Sequence, residues 1–209
     1  MTTDASPRLR ADAARNAERI LRAAREVYAD LGPDASLEEI ARRAAVGART
    51  LYRRFPTKAD LVRAVLDQTL AEEISPAIEQ ALNDENPKRG LATLLEAALS
   101  LAARERNTLA AAKHSGAITA EVNAPFHESL TLLMHRGQQA GLIRADLVPD
   151  DITRMLGMLV SVVWTVEPGS DGWRRYVTLT LDALSPTGAS PLPPATPLGR
   201  VQQPDNWPI

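Results

Sequence analysis

Arg49 and Arg53 stand four residues apart in the stretch V-G-A-R-T-L-Y-R-R-F-P-T-K-A-D-L, Val46 to Leu61. Thr50 and Tyr52 lie between them, and Arg54 and Lys58 follow. Guanidinium and hydroxyl groups in one short run suit recognition of nucleic acid. An arginine fork matches the two acceptors on the guanine edge, and hydroxyls reach phosphate oxygens. If the run is helical, each residue turns about 100°. Leu51 and Phe55 then share one side, Arg49 and Arg53 the opposite side, and Thr50 and Tyr52 the two shoulders. A solvated helix with arginines for solubility has the same residue types, so the neighbouring elements decide.

Those neighbours read as short, capped helices. Ile20, Leu21, Ala24, Val27, Tyr28 and Leu31 recur at helical spacing and end at Gly32-Pro33, a glycine stop followed by a residue that cannot continue a helix. Ser36-Leu37-Glu38-Glu39 reads as a capping box opening a second helix that ends near Ala44. A third runs from about Ala48 to Phe55, where Pro56 halts it, and a fourth starts at or beside Thr57. Two short helices joined by A-A-V-G fit a helix-turn-helix, whose second helix enters the major groove. The DNA-contacting set is Ser36, Gly47, Ala48, Arg49, Thr50, Tyr52, Arg53, Arg54 and Lys58. Lys58 brings charge to a helix N-terminus where a phosphate backbone can pass.

The charge distribution agrees. The 209-residue chain has a net charge of -2, yet residues 1–65 balance at +4 and residues 66–209 at -6. A basic module is thus joined to an acidic one, and basic modules meet phosphate. The absence of cysteine excludes disulfides, thiolate catalysis and thiolate-held metal. No apolar run follows the first charged residues, and the longest apolar stretch, Met155 to Val166, is shorter than a bilayer span of roughly 20 residues. A cytoplasmic protein without membrane partners is expected.

The segment I-A-R-R-A-A-V-G-A-R-T-L-Y-R-R-F-P-T-K-A-D-L, Ile40 to Leu61, resembles the signature of the TetR family of bacterial transcriptional regulators. The close likeness covers about residues 15–66; beyond it only the number, length and order of helices match. The resemblance implies an all-helical homodimer that represses promoters at a palindromic operator and releases double-stranded DNA when a small molecule binds. It places Thr50, Tyr52 and Lys58 at DNA-contacting positions, with Tyr52 and Lys58 on phosphates. Ala45 departs from the family's turn, which more often has glycine. The methyl group is tolerable if the backbone there stays right-handed, with Gly47 supplying flexibility instead.

The second half reads as helix after helix, for about nine in all: an all-α chain with a three-helix DNA-binding domain at 1–57 and a ligand-binding and dimerisation domain at 58–184. A proline-rich tail at 185–209 is expected to be extended or disordered. Between Asp150 and Val166, apolar residues cover nearly the whole circumference of one helix, and a helix apolar all round is buried all round. Leu156, Leu159, Val160 and Val163, with Trp173, Tyr176 and Leu181 of the last helix, are therefore expected at a dimer seam; the resemblance implies a four-helix bundle there. A large monomer core explains the same pattern. Phe126, Leu130, Met134, Met155, Met158 and Trp164 are large or adaptable side chains suited to lining an apolar pocket, though core packing accounts for each equally well.

His114, His127 and His135 show no metal-ligand spacing. No nucleophile elbow, phosphate loop or zinc-protease motif occurs. No catalytic residue, metal or cofactor is expected. The reading is a ligand-responsive repressor. The alternatives are a regulator that activates or answers to a protein partner, an enzyme with a DNA-binding head, and a structural DNA-binding protein.

Overall fold

The computed structural model describes residues 5–195, with side chains from residue 14 onward except at Ala120 and Glu121. Within these residues ten α-helices follow one another: α1 (Ala5–Leu31), α2 (Leu37–Arg43), α3 (Ala48–Arg54), α4 (Lys58–Thr69), α5 (Ser75–Asn83), α6 (Pro87–Arg104), α7 (Arg106–His114), α8 (Ala120–Gln139), α9 (Pro149–Val163) and α10 (Arg174–Ala183). A π-helical turn, Leu70–Ile74, links α4 to α5. Among the described residues there is no strand, as an all-α chain requires. None of their helices is long and apolar enough to cross a membrane.

The chain divides into two compact units: residues 1–70 with 105–122, and residues 71–104 with 123–209. The expected boundary at residue 58 does not coincide with this division. α1 packs on α2, α4 and α7, and α4 also packs on α7, so α4 and α7 share the first unit's core. α7, which sequence periodicity does not reveal, is tied in by polar contacts as well. Arg25 donates from Nε and Nη2 to Glu105 Oε1 at 3.1 and 2.5 Å, and Asn107 donates to the Ala29 carbonyl at 3.3 Å. The core of this unit is Ile20, Ala24, Val27, Tyr28, Ile40, Leu51, Leu61, Val62, Val65, Leu66, Ala111 and Ala112.

Cap chemistry sets the helix starts. Ser36 Oγ accepts from the Glu39 amide at 3.2 Å, but the expected capping box is only half formed. Glu39 turns away to pair with Arg42 one turn on, the Nε contact measuring 3.0 Å. The reciprocal box forms instead at α4, where Thr57 Oγ1 accepts from the Asp60 amide at 3.1 Å and Asp60 accepts from the Thr57 amide at 3.0 Å.

The turn between α2 and α3 overturns one expectation. Ala45 has φ +50°, in the left-handed region, whereas Gly47 has φ -66° and supplies no special flexibility. The cause is the way α2 ends. The Val46 amide donates to Ala41 O at 3.0 Å and the Ala45 amide to Arg42 O at 3.1 Å, a paired closure that requires a left-handed residue at Ala45. Arg19 of α1 braces it, donating to the Ala44 and Ala45 carbonyls at 2.6 and 3.1 Å. Alanine in that conformation costs about 1–2 kcal/mol. Replacing Ala45 with glycine is therefore expected to stabilise the chain by about 1 kcal/mol, since glycine's greater unfolded-state freedom offsets part of the relief. Denaturant unfolding of the two proteins checks this; equal or lower stability for Ala45→Gly would show that the turn holds no strain.

In the second unit α5 packs on α6, α6 on α9 and α10, and α9 on α10. Leu91, Leu94, Leu99, Leu130, Leu133, Met134, Val163 and Trp173 are fully buried there. Residues 185–195, expected to be extended or disordered, are tethered after α10. The Leu192 amide donates to Asp146 at 3.1 Å, and Arg144 bonds the Ser190 carbonyl. Asp146 is meanwhile gripped by Arg144 Nε at 2.7 Å. Residues 196–209 of the expected tail lie outside the described residues.

Candidate functional site

α3 begins at Gly47, whose extended backbone lets the Thr50 and Leu51 amides close onto its carbonyl. Leu51 is fully buried and Phe55 nearly so, which fixes the rotation of α3 in its unit. Arg49 and Arg53 consequently face solvent, as do Gly47, Ala48, Tyr52 and Arg54, while Thr50 is half-buried on one shoulder. This matches the layout expected from helical angles.

The electrostatics distinguish α3 from α2. Arg42 is paired with Glu39, and Arg43 with Asp30 at 3.0 Å and Glu26 at 3.6 Å. Neither Arg49 nor Arg53 has a carboxylate partner among the described residues. Arg54 lies with its guanidinium 5.7 Å from the Phe55 ring centre. The recognition-type helix thus keeps its positive charge open while its neighbour's charge is neutralised internally. A solvated surface gives no reason for that contrast.

Three expected contact residues have internal partners. Ser36 caps α2. Tyr52 Oη donates to Glu38 Oε1 at 2.6 Å. Lys58 Nζ donates to the Pro33 carbonyl at 2.9 Å and sits 5.8 Å from the Tyr28 ring centre. Beneath Lys58, the Tyr28 hydroxyl is buried without a hydrogen-bond partner, and burial pushes its pKa up to about 12. Arg19 and Glu38, which hold the turn and Tyr52, were not among the expected site residues. Neither stands in a sequence pattern that marks a long-range contact.

In the second unit the expected residues separate. Leu130 and Met134 are fully buried in the core, and Phe126, Met155 and Trp164 are half-buried. Met158 is 62% exposed on the outer face of α9, so it does not line an interior pocket of the single chain. Of the expected dimer residues, Leu159, Val163 and Trp173 are buried within the protomer. Leu156, Val160 and Leu181 are half-buried, and Tyr176 is 42% exposed. On α9 and α10 the exposed large apolar residues are Met158, Tyr176 and Leu179. His127 stands edge-on to Phe126, ring centres 5.9 Å apart, and burial lowers its pKa. No group of three or more His, Cys, Asp or Glu able to hold a metal ion occurs among the described residues.

Residues 20–65 match the family model described as bacterial regulatory proteins, tetR family, and residues 86–186 match the SbtR-like transcriptional regulator C-terminal domain. A TetR transcription regulatory protein from Mycobacterium vanbaalenii is 32% identical, with 85% of this chain and 99% of that chain covered at a TM-score of 0.58. A TetR transcriptional regulator from Streptomyces coelicolor is 30% identical, covering 82% and 99% at 0.59. The fold is shared with FadR from Bacillus subtilis in complex with stearoyl-CoA, 21% identical, covering 80% and 96% at 0.66. No curated protein matches significantly.

Proposed function

The chain belongs to the TetR family of transcriptional regulators, and from that premise we propose that it is a homodimeric repressor whose α3 reads a palindromic operator and whose second unit binds a small, largely apolar effector that releases the DNA. The observation that carries the DNA half is the open cationic face of α3, where Arg49 and Arg53 oppose the buried Leu51–Phe55 side. Arginine at the groove floor reads guanine, so the operator carries guanines at symmetric positions. Tyr52 and Lys58, on a wall and at the next helix start, hold phosphates. Ser36, Thr50 and Arg54 frame them, and Gly47 and Ala48 allow close backbone approach.

The effector half is supported by relatives of the same fold: FadR was crystallised with stearoyl-CoA and AibR with isovaleryl coenzyme A and operator DNA. In this chain Phe126, Met155 and Trp164 are half-buried, and Leu130 and Met134 fully buried, which supports the first three as the side chains that meet an apolar ligand. Linkage requires effector and operator to weaken each other by the same factor.

Selection from a random duplex library identifies the operator and so tests the whole reading; recovery of no symmetric motif would count against it. With that operator, Arg49→Ala is expected to cost roughly 1–3 kcal/mol of affinity and relax selectivity at one base pair per half-site. Lys58→Ala should weaken all sequences alike and lower the salt slope by about one per subunit. Equal loss on operator and random DNA for Arg49→Ala would remove it from base reading.

A further inference from the structure

The Tyr52 hydroxyl is not waiting for DNA. Its single proton is committed to Glu38 at 2.6 Å, and Ser36, two residues before that carboxylate, caps the same helix. A side chain assigned to the DNA-facing surface is therefore held by an exposed anion. The cations around it are spoken for: Arg42 binds Glu39, and Arg43 binds Asp30 and Glu26. Tyr52 foremost, then Glu38's own amide, with a smaller part from Ser36, hold this carboxyl below its ordinary value, so it is ionised at neutral pH.

A phosphate oxygen is an acceptor, as a carboxylate is. While the phenol donates to Glu38, its oxygen can only accept, and it has nothing to give a DNA phosphate. Contact between Tyr52 and the backbone thus requires one anion to replace another at the same donor. Lys58 differs. Its ammonium spends one proton on a neutral carbonyl at Pro33 and keeps two more, so it can take a phosphate without leaving its seat.

We propose that Glu38 is a positioning residue that stands in for a DNA phosphate: in the free protein it holds the Tyr52 hydroxyl that a phosphate oxygen takes in the complex, and thereby sets a sequence-independent limit on DNA affinity. The proposal rests on the reading of α3 as the groove helix. It has two parts. The carboxylate competes for the hydroxyl, and its charge repels the arriving backbone over a Debye length of about 8 Å. In a helix-turn-helix the first helix crosses the phosphate backbone rather than the base edges, so Glu38, in the first turn of α2, meets phosphate and carries no sequence preference.

The test uses Glu38→Gln, which keeps an acceptor and removes the charge, Glu38→Ala, which also frees the hydroxyl, and each combined with Tyr52→Phe. Affinity is measured on the selected operator and on a random duplex between about 50 and about 200 mM salt. Glu38→Gln is expected to bind both duplexes roughly threefold to tenfold more tightly, with the gain shrinking as salt rises. Glu38→Ala should gain further, and that extra gain should vanish beside Tyr52→Phe. Equal or weaker binding by both variants overturns the proposal, as does a changed base preference, which would make Glu38 a reader of cytosine. A wild-type protein with no selective DNA binding overturns the underlying reading as well. Wild-type binding with unresponsive Glu38 variants overturns this inference alone.

Discussion

Replacing Met158 and Leu179 together with aspartate is expected to convert the protein to folded monomers and to reduce operator affinity by at least about 100-fold. Met158 of α9 is 62% exposed, and Leu179 and Tyr176 of α10 are 52% and 42% exposed, on helices that pack against each other. Exposed large apolar residues on adjoining helices suit a surface that is covered, and a symmetric pair of such faces covers itself. A lone protomer reads one half-site, which leaves binding near the non-specific range of about 10⁻⁴–10⁻⁶ M where specific complexes reach 10⁻⁸ M or better, on the order of a hundredfold tighter. Light scattering and operator binding on the same preparation check it. A double variant that stays dimeric would move the interface elsewhere. Val163 gives a contrast: it is fully buried in the protomer, so an aspartate there should unfold the second unit rather than separate two copies.

The second large effect is expected from Gly90→Ala. Gly90 lies in α6 where that helix touches α5 and α8. A Cβ atom there would stand 2.6 Å from the Ala81 carbonyl oxygen and 2.9 Å from Leu133 Cδ2. Leucine can rotate, but the carbonyl is backbone, so α5 and α6 must move apart. Alanine's better helix propensity returns about 1 kcal/mol. Overpacking of a dense core costs about 1–3 kcal/mol and is made worse here by the rigid oxygen. A net loss of about 1–2 kcal/mol, or several degrees in Tm, is expected. Thermal and denaturant unfolding measure it, and an unchanged midpoint would mean the two helices are less closely held than the structure indicates.

Much of the first unit was legible in the sequence because its signals are local. The Ser36 cap, the Thr57 start and the period that buries Leu51 and Phe55 all act within a turn or two. The sign of φ at Ala45 was not legible. It follows from how α2 closes and from Arg19, 25 residues away from Ala44. α7 escaped because its buried positions are Thr108, Ala111 and Ala112, small or polar residues that leave no hydrophobic stripe. For α9 the apolar pattern was plain, but which side turns inward was not. Neighbouring α6 and α10 decide that, burying Leu159 and leaving Met158 outside. Glu39 shows the same limit at short range: two partners lay within reach, and Arg42 was taken over the helix start.

The tethered residues after α10 bear on how the chain meets proteases. Exposed, proline-rich ends are ordinarily trimmed back to the nearest folded element, and whether cleavage occurs depends on whether the backbone is free to enter an active-site cleft. Here the Leu184 carbonyl is bonded by the Arg144 amide at 2.9 Å, and Ser190 and Leu192 are held by Arg144 and Asp146. Proteolytic cutting between Ser185 and Leu192 should therefore be slow, although this stretch is rich in the residues that proteases meet in open loops.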